Sequence, residues 1–110
     1  MAYDQKNDML YRKMFVEQAN YKAWLLTKSP EEILSHAYEY TVREDILAMM
    51  GSKNLTDVRA KALLKSPCPL ADVFKDWDKR DNSYHMDDIW DTIVARADTV
   101  IARAKAGPER

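Results

Sequence analysis

Apolar residues recur along this chain at helical spacing. In NDMLYRKMFVEQANYKAWLLTK, Leu10, Met14, Tyr21 and Leu25 form one row, and Met9, Phe15 and Trp24 widen it into a broad stripe. Asp4 and Asp8 come early and Lys22 and Lys28 late, an order that suits the helix dipole. The pattern predicts a helix over about 7–27. In the next stretch, TKSPEEIL, Ser29 is placed to cap a helix and Pro30 to take its first position. Glu31 and Glu32 fill the first turn. Leu34, Tyr38, Val42 and Ile46 then recur every fourth residue, flanked by Ile33, Ala37, Tyr40 and Leu47. The short alternation YEYTV imitates a strand, but the longer helical period outweighs it. One helix is therefore expected over about 30–50, stopped by Gly51.

The second half is cut into shorter pieces. Thr56 heads a short amphipathic stretch with Val58, Ala62 and Leu63 on one face and Lys65 at its end. SPCP interrupts it, because two prolines this close cannot continue a helix. LADVFKDWDKR brings Leu70, Val73, Phe74 and Trp77 together, and DNSYH reads as a polar loop. MDDIWDTIVARADTVIARAK then aligns Ile89, Ile93, Ala97, Val100 and Ile101. Its acids (Asp87, Asp88, Asp91) precede its bases (Arg96, Arg103, Lys105).

The fold class this predicts is all-α, with no internal repeat. It is a single compact domain of about five helices, ordered over about 7–105, with a frayed AGPER tail. The short joining loop should pack the two long N-terminal helices antiparallel. The expected core is Leu10, Met14, Trp24, Leu34, Tyr38, Val42, Leu63, Phe74, Trp77, Ile89, Trp90 and Ile93.

Composition narrows the function classes. Two glycines are too few for a phosphate-cradling loop, and no GxSxG, Walker or GxGxxG motif occurs. Seventeen basic against eighteen acidic residues make general nucleic-acid affinity unlike this chain, since that needs a surplus of cations. The single cysteine, Cys68, has no internal disulfide partner, which fits a reducing cytoplasmic setting. The start MAYDQKNDML lacks the apolar stretch of a signal peptide, and AWLL and ILAMM are too short to cross a bilayer.

Candidate chemistry is sparse. On a continuous helix His36 shares a face with Glu32 and Glu39, a set that could ligate a divalent metal, and His85 stands near Asp87, Asp88 and Asp91. A metal-dependent enzyme at His36 and His85 is one alternative, although no HExxH or paired ExxH motif supports it. A solvated charged face explains the same residues. Cys68 reads as a small apolar turn residue, without a cationic neighbour to activate it. Of Glu44 and Asp45, which interrupt the second apolar stripe, one is expected to form a structural ion pair with Arg43, Arg12 or Lys13. Lys53, Arg59, Lys61 and Lys65 give the segment 53–65 a basic helix that a small DNA-binding regulator could use. Three Trp, six Tyr, two Phe and six Met exceed what a small helical core easily buries, and such residues favour protein interfaces. Tyr11, Trp24, Tyr40, Tyr84 and Trp90 are the candidate interaction residues. No catalytic residue, metal or cofactor is expected.

Three segments taken together, PEEILSHAYEYTVREDILAMM, AKALLKSPCPLADVFKDW and MDDIWDTIVARADTVI, resemble a small family of unknown function. That family is carried on conjugative and phage-like mobile elements of Gram-positive gut bacteria. The resemblance spans roughly residues 9–103, with small departures at Cys68, Pro69 and Trp77. It implies no catalytic residues. It does imply a context in which small proteins bind host or element machinery, a defence nuclease among them, so that a CRISPR-inhibitor-like module is the leading expectation. The partner would be a host or mobile-element protein, or a second copy of the chain.

Overall fold

The computed structural model describes residues 5–79 and 86–106. Six helices account for nearly all of them: α1 (Gln5–Leu25), α2 (Pro30–Ser35), α3 (Ala37–Ser52), α4 (Asp57–Leu64), α5 (Pro69–Asp78) and α6 (Met86–Ala106). No strand occurs among the described residues, so YEYTV is helical. Helices α1, α3, α5, α6 and α4 close a ring in that order, each packing on the next, and α3 also reaches α6. α2 lies outside the ring, against α3.

The first helix pair is antiparallel. Tyr21 meets His36, Gln18 meets Tyr40 and Glu44, and Asn7 meets Leu55, so the two sequences run past each other in opposite directions. The buried row of α1 is Asn7, Leu10, Met14, Gln18 and Leu25. Of its two polar members, Asn7 is matched on both side-chain atoms and Gln18 on its Nε2. Asn7 Nδ2 donates to the Leu55 carbonyl and Asn7 Oδ1 accepts from the Leu55 N–H, both at 2.9 Å, which fixes the α3–α4 connection.

The single helix expected over 30–50 is two. Ser29 Oγ accepts from the Glu32 N–H and Pro30 takes the first turn, as the sequence requires. The break comes at His36, whose backbone (φ −102°, ψ 5°) leaves the helical region while its N–H closes α2 onto the Glu32 and Ile33 carbonyls. The break redirects the helix axis, so Leu34 in α2 does not continue the buried row of Val42 and Ile46, and Tyr38 stands in the first turn of α3, ahead of that row. Both are exposed, as is Trp24, and these three leave the expected core. The remaining core expectations sit in or against the core cluster, joined by Ile46, Met49, Met50, Leu55, Leu70 and Val73. Gly51 does not stop α3, which runs through Ser52 until Lys53 turns extended.

Two later helices start differently. Thr56 Oγ1 caps α4 by accepting from the Arg59 N–H. For α5, Cys68 stands at the cap position without capping a helix N–H; its Sγ donates to the Asp72 carboxylate at 3.9 Å. Instead the Glu17 carboxylate reaches across from α1 and accepts the Leu70 and Ala71 N–H groups at 2.7 and 2.8 Å. A carboxylate at these free donors satisfies them and suits the positive end of the helix dipole. The AGPER expectation lies largely outside the described residues.

Candidate interaction groove

Glu17 belongs to a charged network beneath the α1–α3 pair. Arg43 is buried and donates from Nε and Nη2 to Glu39 Oε2 at 3.0 and 2.8 Å. Its guanidinium lies 4.1 Å from the Tyr21 ring centre, and its Nη1 is 3.9 Å from Glu17. Burial raises the pKa of Glu17 above its ordinary value, against the opposing pull of the Ala71 and Leu70 N–H groups and of Arg43. Burial, together with the Glu39 charge, pushes the Tyr21 hydroxyl up to about 12. Arg43 is thus taken by Glu39 and Glu17. Arg12 pairs with Asp8, and Lys13 donates to the Leu64 carbonyl. Glu44, expected as an ion-pair candidate, accepts instead from the Gln18 amide at 3.0 Å.

His36 stands at the edge of this network. Its Nδ1 is 3.4 Å from the Tyr21 hydroxyl and 4.0 Å from Glu39, and its ring meets the Trp24 indole edge-on at 5.3 Å. The helix break separates it from Glu32, which offers it a backbone carbonyl. Among the described residues no three His, Cys, Asp or Glu side chains converge in a metal-binding arrangement. His85 and Tyr84 lie outside the described residues.

Above the network, on the outer side of the same helix pair, runs a groove. One section, of about 490 Å³, lies between α1 and α3 and is lined by Tyr11, Phe15, Gln18, Ala19, Lys22, Tyr40, Glu44, Leu47 and Ala48. The adjoining section, of about 280 Å³, is lined by Lys22, Leu25, Leu26, Ile33, Leu34, Ala37, Tyr40 and Thr41. Lys22 and Tyr40 line both, so the two sections adjoin. Large apolar side chains stand open along it: Phe15 is 55% exposed, Leu26 68% and Leu34 74%. At its middle the Gln18 side chain is buried, its Nε2 engaging the Tyr40 carbonyl and Glu44, while Oε1 has no hydrogen-bond partner. Burial and the Glu44 carboxylate raise the Tyr40 phenol above its ordinary value.

The groove thus gathers two of the candidate interaction residues, Tyr11 and Tyr40. Trp24 is exposed but lies off the groove's lining, stacked on Tyr21 at 5.8 Å with the Lys28 ammonium 4.8 Å from its ring centre. Trp90 is half-buried against the core under the Lys53 ammonium. Of the basic set, Arg59 is held by Asp98 through two bonds of 2.8 and 3.1 Å, and Lys61 and Lys65 point to a crevice between α4 and α6. The sequence reading missed Phe15, Leu26 and Ile33 as site residues. For Phe15 and Leu26 a signal is present: Phe15, Ala19, Lys22 and Leu26 repeat at helical spacing beside the buried row of α1.

No helix among the described residues is long and apolar enough to cross a membrane. No curated protein and no solved structure matches the chain. Residues 6–101 match the family described as protein of unknown function DUF3848, and the chain belongs to that family.

Proposed function

We propose that this protein is a non-enzymatic interaction module that takes a helical segment of a protein partner along the α1–α3 groove. One observation carries the reading. Phe15, Leu26 and Leu34 stay open to water along two adjoining sections of one groove. Covering one such side chain gains about 1.5–3 kcal/mol, so three of them can anchor a complex. The channel follows α1 from Tyr11 to Leu26, on the order of 22 Å at 1.5 Å per residue, which suits about four turns of a partner helix. Apolar anchors would fill its two ends. Lys22, Tyr40 and Glu44 at the middle would set the partner's register through polar contacts.

The wider setting we propose is binding and steric blocking of host or element machinery, such as a defence nuclease, in the cytoplasm. What supports it is the resemblance to proteins carried on mobile elements. A photo-crosslinking amino acid at position 34, compared with one at exposed Asn20 on another face of α1, tests the groove in cells. The expected result is one discrete adduct from position 34, lost when Phe15 and Leu26 are both changed to Gln. The same adducts from position 20, or adducts indifferent to those changes, would contradict it.

A further inference from the structure

A second channel, of about 380 Å³, lies between α4 and α6, away from the lining of the α1–α3 groove. Its floor is apolar: Val58 and Ala62 from α4, and Val100, Ile101 and Ala104 from α6. Val58 is 61% exposed, although it sits at the apolar edge of a helix that turns Ala60 and Leu63 inward. Lys61 and Lys65 stand along one bank and Lys105 on the other, against one acid, Asp57. The other cation of α4, Arg59, is already committed to Asp98, whereas no ion pair engages these three lysines among the described residues.

From this charge pattern we infer that the α4–α6 channel is a docking site for an acidic amphipathic helix of a partner protein. An apolar stripe on that helix covers Val58, Val100 and Ile101, and carboxylates on its two flanks meet Lys61 and Lys65 on one side and Lys105 on the other. The apolar floor decides against nucleic acid. A phosphate backbone would gain only the three lysines and would leave the floor facing a highly charged, wet surface. A neutral helix would leave the lysines without complement.

The test is an NMR titration of the full chain with three probes. The first is a synthetic helical peptide of about two heptads, with leucines on one face and glutamates on its flanks. The second is the same composition in an order that abolishes the stripe. The third is a short DNA duplex. The first peptide is expected to shift the signals of Val58, Lys61, Val100 and Ile101, and to bind more weakly as salt is raised. The scrambled peptide and the duplex are expected to leave those signals in place. The triple reversal K61E/K65E/K105E should weaken the first peptide on the order of tenfold, as three exposed ion pairs would, with an unchanged circular-dichroism spectrum. The inference is overturned if the first peptide shifts nothing there or moves only the Phe15–Leu34 groove. Equal binding of the scrambled peptide or of DNA at the same residues would overturn it too.

Discussion

Helices α2 and α3 are neighbours in sequence, and their apolar residues share a four-residue period, yet they have opposite fates. α2 carries the better local signals: a serine cap that is made, a proline in the first turn and two acids behind it. It buries no residue. α3 begins at His36 with no side-chain cap bond, and buries Val42, Arg43, Ile46, Leu47, Met49 and Met50. Local chemistry is enough to form one turn and a half of helix at Pro30–Ser35, but only neighbouring helices can bury a face. α3 lies inside the ring of helices and α2 outside it, so Leu34 falls on open surface although it keeps the period of Val42 and Ile46.

That contrast can be broken from the α3 side. The largest effect is expected at Ile46, which is fully enclosed. Ile46→Ala should cost about 4 kcal/mol through lost transfer energy and an unfilled cavity, read as a shift of the urea midpoint. Arg43 comes next, because it is what ties α3 to α1 and indirectly to the start of α5. Arg43→Met keeps the alkyl packing but leaves Glu17 and Glu39 without their cation, and should cost about 2 kcal/mol. A loss no larger than that of an exposed substitution would show that the Arg43 pairs add nothing to the joint between the two helices.

Glu17 sharpens the same point through pH. Its carboxyl pKa is raised in the folded protein, chiefly by burial, from an ordinary value of 4.5. A raised pKa means that the folded state holds the proton more tightly than the unfolded chain. The group's stabilising contribution is full below the ordinary value and is lost as pH rises through the raised one. Glu17→Gln should remove that slope. The wild type should therefore lose thermal stability relative to the variant as pH climbs above 4.5. A difference between the two proteins that stays constant across that range would assign the upward shift elsewhere.

Much of the architecture was legible in the sequence because the signals were local. The Ser29–Pro30 start, the Thr56 cap, the SPCP break and the antiparallel pairing across a short loop all depend on residues close in the chain. The break at His36 was not legible. No glycine or proline marks it, and the apolar period passes straight through it. The same gap hid the groove. Leu34 and Val42 look alike as letters at spacing four and eight along one row, and only the redirected axis separates surface from core. The partner of Arg43 was invisible for a related reason. Glu44 and Asp45 flank it closely, whereas Glu17 comes from another helix and Glu39 from one turn earlier. Tyr11 and Tyr40, half-buried on two packed helices, both line the groove.

Phe15, Leu26 and Leu34 must be surplus to folding if the groove binds a partner, and chemical denaturation of the triple variant F15Q/L26Q/L34Q measures that directly. The predicted result is an unfolding free energy within about 1 kcal/mol of the wild type, because exposed substitutions away from packed sites change little. A loss of about 3 kcal/mol or more, comparable to Ile46→Ala, would make these side chains part of the core and would contradict the groove as a binding surface.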